Sequence, residues 1–264
     1  MSTGAYSASI DGYGEAINQA GRQRMLSQRM VKAFAQIGLQ IWYAKPRKQL
    51  KKALQLYQTQ LENLKGFAKS SNSRKALSRA ETVWKKYKVL ASGRVSQENA
   101  VKFNQMSEQL LQASQKVVEA LVDEAKSEKA HIVDISGRQR MLSQRMAKFY
   151  LLMSWGLVHT DYQSEFKKAE QEFSQALLEL KASSLNTTEI SEALQKVDKQ
   201  WRFFQLTKIM DEDQYLPYIV ARTTESLLQD MNRITGMYAK RTTENAIKTL
   251  ASMENGAKAV SPRR

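Results

Sequence analysis

Gly21-Arg22-Gln23-Arg24-Met25-Leu26-Ser27-Gln28-Arg29-Met30 returns, letter for letter, as Gly137-Arg138-Gln139-Arg140-Met141-Leu142-Ser143-Gln144-Arg145-Met146. Helical periodicity asks only for apolar character at certain positions and leaves identity free. Ten identical residues at a spacing of 116 therefore mark an internal duplication, the first thing to settle before any fold is assigned. Weaker echoes keep nearly the same register: Lys32 with Lys148, Trp84 with Trp201, and Ser107-Glu108-Gln109-Leu110-Leu111 with Thr224-Glu225-Ser226-Leu227-Leu228. Trp42 sits near the place of Trp155, and the echo fades beyond Tyr238.

The 264 residues suffice for two units of about 130, each large enough to bury a core. Three prolines, eleven glycines and abundant Gln, Lys, Glu, Ala and Leu predict helix nearly throughout. The first helix is expected from near Asp11, capped by Ser9 or Asp11, to Tyr43, with Ile17, Gly21, Met25, Met30, Phe34, Ile37 and Ile41 along its apolar face. Pro46 suits the first turn of a second helix over 46–69. A third follows Ser70-Ser71-Asn72-Ser73 over 74–91, and Ser96-Gln97-Glu98-Asn99 opens a fourth. The second half repeats the plan, with helices over 161–182 and 188–210, an acidic turn at Asp211-Glu212-Asp213, and a last helix from Pro217.

No proline or glycine separates Asn99 from Gly137, and the apolar line runs on through Leu121, Ile132 and Ile135. The expected fold is thus all-α: two four-helix bundles in tandem, joined end to end through a long shared helix. The modules are placed at 9–127 and 128–245, with 246–264 as a C-terminal tail. A fold-back of the two modules into a pseudo-dimer seam is disfavoured by the continuous middle helix, and homodimerisation of the rod would instead form two stacked seams.

The net charge of +15 is uneven, with 22 basic and 10 acidic residues before position 131 and 19 against 16 after it. That field attracts oxyanions, nucleic acid and anionic membranes alike. Lys45, Lys48, Lys51, Lys52, Lys85, Lys86 and Lys88 form basic patches, but no recognition motif or aromatic platform accompanies them, which disfavours nucleic acid. The absence of cysteine removes disulfides, thiolate metal sites and cysteine nucleophiles. His131 and His159 belong to no metal-ligand cluster, so neither metal nor cofactor is expected. There is no glycine-rich phosphate loop, nucleophile context or twin carboxylate, and the chain reads as non-enzymatic. The longest apolar run, Phe149 to Val158, is ten residues against the roughly 20 of a membrane span.

On the duplicated helix, Arg22, Arg24 and Arg29, with their copies Arg138, Arg140 and Arg145, place permanent charges at the margins of an apolar stripe. The guanidinium fork matches a trigonal oxyanion or a carboxylate. Ser27 and Ser143 are candidate neutral donors beside it, and Gly21 and Gly137 of the repeated motif are counted with the ligand-binding residues. The alternative is that the arginines face solvent or pair with acidic residues of neighbouring helices.

The segment Ala16-Ile17-Asn18-Gln19-Ala20-Gly21-Arg22-Gln23-Arg24-Met25-Leu26-Ser27-Gln28-Arg29-Met30 resembles the signature helix of PilJ-type sensory domains. These are the N-terminal domains of type IV pili methyl-accepting chemotaxis transducers. It is also similar to the signature helix of nitrate and nitrite sensor kinases. The resemblance covers both modules and implies periplasmic four-helix bundles that dimerise about the first helix. In the nitrate sensors a symmetric pair of arginines grips one planar anion at the dimer seam, and the resemblance matches those arginines to Arg24 and Arg140 here. Arg29 and Arg145 match the family's second arginine, of more positional character. Asp134 stands where the motif has Asn18, and is expected to weaken anion binding in the second module.

Such families usually hold one module between two membrane helices, attached to a signalling output. Two modules with neither imply a sensory or solute-binding protein for a small anion such as nitrate or a carboxylate. It would report to a separate membrane receptor or kinase from the periplasm, the chain beginning just after a removed signal peptide. A structural or protein-interaction scaffold of the cell envelope is the competing reading.

Overall fold

In the computed structural model, residues 10–42, 44–157, 159–207 and 216–259 are described. The first module comprises α1 (Tyr13–Gly38), α2 (Lys45–Phe67), α3 (Ser71–Ala91) and α4 (Gln97–Ala125). The second comprises α5 (Glu128–Ser154), α6 (Thr160–Ala182), α7 (Thr188–Thr207) and α8 (Pro217–Ala259). The fold is all-α, in two four-helix bundles. Capping chemistry sets several boundaries: Ser70 accepts the Ser73 N–H and starts α3 earlier than expected, Ser96 accepts the Asn99 N–H, and Pro46 lies in the first turn of α2. The first helix begins after Gly12 rather than at Asp11 and stops at Gly38 instead of Tyr43; Gln40 and Trp42 follow with left-handed backbone. Ser9, Tyr43 and the acidic turn at 211–213 lie outside the described residues.

The end-to-end rod with a shared central helix is not what forms. After Ala125, Lys126 adopts φ 47° and ψ 44°, and Ser127 leads into α5. A left-handed lysine costs roughly 1–2 kcal/mol, the conformation a glycine would take more easily. It reverses the chain, so that α5 lies beside α1 rather than beyond α4. Gln28 accepts from Arg145 and Gln144 accepts from Arg29, so the two copies of the motif run in the same direction, related by a pseudo-twofold axis along the helices. The apolar pattern crosses the reversal unbroken because both helices feed one core, where Leu121, Val133 and Leu142 are all buried.

Intimate packing of α1 and α5 explains why their sequences lack a clean polar face. Of the 26 residues of α1, 20 are buried, against 7 of the 23 in α2. A helix buried on most sides sits between layers rather than on one. Outward from it run two aromatic ladders that the duplication repeats. In the first module Trp84 stacks on Tyr57 and Tyr87, and in the second Trp201 lies against Phe173 and Phe204. Near the C-terminal ends of the central pair, a side chain at Gly38 would put its Cβ 2.0 Å from the Trp155 ring, so only glycine fits there. Stacked seams between two rods are thereby replaced by one seam within one chain. No helix among the described residues is long and apolar enough to cross a membrane.

Candidate functional site at the arginine seam

Midway along the seam the two motif glycines face each other. A Cβ built on Gly21 would lie 3.3 Å from Nη2 of both Arg24 and Arg140, and 3.9 Å from the Gly137 Cα. On Gly137 it would lie 3.2 Å from Arg140 and 3.5 Å from Arg24. The glycines thus let the helices close up and leave both guanidiniums room to fold across the axis. Both arginines have no exposed surface.

Each arginine reaches into the opposite copy in the same way. Arg140 donates from Nη2 to the Asn18 carbonyl at 3.0 Å and from Nη1 to Asn18 Oδ1 at 2.9 Å. Arg24 donates from Nη2 to the Asp134 carbonyl at 3.3 Å and to Asp134 Oδ1 at 2.6 Å. A second polar side chain closes each set: Gln115 Oε1 accepts from Arg24 at 2.6 Å, and Asn232 Oδ1 from Arg140 at 3.0 Å. The symmetry fails in charge. Asp134 supplies a carboxylate to Arg24, whereas Arg140 has only amide oxygens, and burial beside Arg22 and Arg24 pushes its pKa well down. The Nε–H of each arginine is buried with no acceptor, a state that native proteins rarely leave unanswered.

Two turns further on, the modules exchange ion pairs. Arg29 of α1 holds Glu225 of α8 through two nitrogens, at 2.7 and 3.0 Å, and buried Lys32 joins the same carboxylate at 3.3 Å. The mirror set joins Arg145 and Lys148 of α5 to Glu108 of α4, at 2.7 and 2.5 Å. Burial lowers Lys32 to about 8 and Lys148 to about 7, against the pull of their glutamates. Burial would raise Glu225, but Lys32 and Arg29 overcome it and hold the carboxyl at about 2. These are charge pairs between modules, so they fix the docking of one bundle on the other.

Residues 6–116 and 121–214 each match the family described as the N-terminal domain of type IV pili methyl-accepting chemotaxis transducers, PilJ. The chain belongs to the PilJ family. It is a tandem pair of these sensory domains of chemotaxis signal transduction, folded against each other. No curated protein and no solved structure gives a significant match.

Within this PilJ pair, the ten residues singled out from the motif divide. Arg24, Arg140, Gly21 and Gly137 meet at the axis. Arg29 and Arg145 are held by Glu225 and by Glu108 with Glu165. Arg138 pairs with Glu172 at 2.7 Å, while among the described residues the Arg22 side chain has only Asn232 Oδ1, at 3.4 Å. Ser27 and Ser143 spend their hydroxyl protons on the carbonyls of Arg24 and Arg140, at 2.7 and 2.8 Å, inside their own helices. Sequence reasoning passed over Lys32, Lys148, Glu108 and Glu225 as site residues. Their signal was present: all four are charged residues that repeat in register.

Proposed function

We infer that this PilJ pair is a periplasmic sensory protein whose seam recognises one small planar anion, nitrate or a small carboxylate, between Arg24 and Arg140. The observation that carries the reading is the convergence of two fully buried guanidiniums on one axis where, among the described residues, only Arg24 has a carboxylate in ion-pair contact, that of Asp134. Two positive charges with one direct ion pair between them and the protein leave an attraction for an anion in a site of low dielectric. Both unanswered Nε–H groups add donors that a trigonal oxyanion accepts from.

One chain supplies both halves of the seam, so the expected stoichiometry is one anion per chain. Drawing the guanidiniums together would displace Asn18 and Asp134 and shift α1 against α5. That shift passes to α4 and α8 through the exchanged ion pairs. The final helix is suited to relay it: α4 ends at Ala125, whose counterpart is Thr242, whereas α8 continues to Ala259. The receiving partner is a separate membrane receptor or kinase of the chemotaxis type.

A scaffold role is the second reading, favoured by the fact that Asn18, Asp134, Gln115 and Asn232 already occupy every terminal guanidinium nitrogen. Calorimetric titration with nitrate, nitrite and acetate separates the two. The sensor reading expects saturable binding of one anion per chain, lost in Arg140→Gln and about tenfold tighter in Asp134→Asn, the order of one charge-assisted bond. Silence from both the parent and Asp134→Asn, each folded by circular dichroism, would establish the scaffold reading instead.

A further inference from the structure

A groove beside the seam carries cations of its own. Between α1, α2 and α8 runs an open groove of about 410 Å³, within the range of small-molecule sites. Met25, Leu26, Ala53, Leu56 and Leu228 give it an apolar floor, with Arg22 at one end and Arg29 with Lys52 towards the other.

The duplication supplies an internal control for this groove. Gln23 donates to the Tyr57 carbonyl and Gln139 to the Phe173 carbonyl, which fixes α2 against α6 at an offset of 116. By that register nine of the twelve lining residues are identical to their counterparts across the axis. Three differ: Gln49 stands for Glu165, Leu56 for Glu172, and Asn232 for Gln115. The two substitutions on α2 both delete a carboxylate, and both deleted carboxylates are the ones that neutralise arginines on the far side. Glu172 holds Arg138 at 2.7 Å and Glu165 holds Arg145.

The consequence falls on Arg22. Among the described residues no carboxylate lies within ion-pair distance of it, and Asn232 at 3.4 Å is a long contact. Glu15, two turns earlier on α1, contributes only its field and is engaged by Asn18 and Gln19. Burial accordingly lowers the Arg22 pKa, the mark of a cation short of a counter-charge. Arg29 is not in that position, since Glu225 satisfies it. A guanidinium without a carboxylate, next to an apolar trough where the twin carries a glutamate, suits a ligand that brings the carboxylate and fills the trough.

We propose that the α1–α2–α8 groove binds a small organic monocarboxylate, its carboxylate on Arg22 and its hydrocarbon or aromatic body along Leu26, Ala53 and Leu56. The groove borders the seam, since Asn232 Oδ1 accepts from both Arg22 and Arg140, but its carboxylate is held by Arg22 and not by Arg24 or Arg140.

The test uses the full chain titrated with octanoate and benzoate, with octanol as the uncharged control. Saturable carboxylate binding is expected, at least tenfold stronger for octanoate than for octanol. Leu56→Glu restores the residue of the twin and should weaken binding at least tenfold by neutralising Arg22 internally. Leu56 is 38 % exposed, so the variant is expected to fold. Arg22→Gln should lose binding equally, and Arg138→Gln should leave it unchanged. Absence of saturable binding by either acid, equal affinity for octanol, or full affinity in Leu56→Glu overturns the proposal. Asp134→Asn, which alters the seam, should leave octanoate affinity as it was, so the failure of one site is distinguishable from the failure of the other.

Discussion

Across the pseudo-twofold axis, Arg138 meets Glu172 at 2.7 Å, whereas Arg22 meets Leu56 in the matching place. Arg145 is shared by Glu108 and Glu165, whereas Glu225 is the one carboxylate on Arg29 among the described residues, with Gln49 where Glu165 would be. At the seam the imbalance runs the other way, since Asp134 of the second module answers Arg24 and neutral Asn18 answers Arg140. The ten-residue motif that carries these arginines is identical in both halves, so the differences come from the residues around it, on the same helices and on their neighbours. A covalent duplication permits this. In a symmetric homodimer every acceptor change appears twice, whereas here each face can be tuned alone.

The largest test of that comparison is to remove the shared glutamates one at a time. Glu225→Ala strips Arg29 and buried Lys32 of their only carboxylate among the described residues. Breaking a buried pair from one side costs about 3–5 kcal/mol, and that range is expected here from denaturant unfolding. Glu108→Ala is expected to cost less, because Arg145 keeps Glu165 and Lys148, already lowered to about 7, sheds its proton when left alone. Equal losses would mean that Glu165 does not compensate.

Acid gives a smaller effect with a defined sign. The Glu225 carboxyl is lowered from 4.5 to about 2, so its contribution is complete above pH 4.5 and is lost as pH falls towards 2. The loss is on the order of 3 kcal/mol by the linkage of pKa to stability. Thermal unfolding of Glu225→Gln should show a flatter acid limb than the parent between pH 4.5 and 2. An unchanged limb would assign acid sensitivity to other carboxylates.

The duplication and the plan of four helices per module were legible because identity repeated at a fixed spacing is independent of packing; the meeting of Arg24 with Arg140 inside one chain was not, because the rod kept the two motifs apart. The reversal at Lys126 was not, since no glycine or proline marks it and the apolar register of α4 continues into α5. Sequence periodicity reports which residues are buried, and both the rod and the folded-back pair bury the same ones. What could have told them apart is the composition of the central helices. Arg24, Lys32 and Gln36 of α1, with Arg140 and Lys148 of α5, are polar residues on helices buried on most sides, and such residues need a partner helix bearing acceptors. Asp134 was read as a local weakness of the second module. Its carboxylate instead serves the arginine of the first, a cross-axis role visible only when the helices stand side by side.

The smallest effect on stability is also the sharpest probe of the asymmetry. The Arg138–Glu172 pair is partly exposed, with side chains 43 % and 30 % accessible, and such pairs contribute about 0–1 kcal/mol. Glu172→Leu should therefore shift unfolding by no more than about 1 kcal/mol. It also converts the second-module face towards the first, leaving Arg138 beside a leucine as Arg22 is. Because Glu165 still neutralises Arg145, only the Arg138 end is freed, which is the end the carboxylate needs. If counter-charge at that one position separates the two faces, octanoate titration of Glu172→Leu should yield a second equivalent of binding, removable by Arg138→Gln. A single equivalent would mean that the trough differs through Asn232 and Gln115 as well, and exchanging those two residues would then be what makes the faces equal.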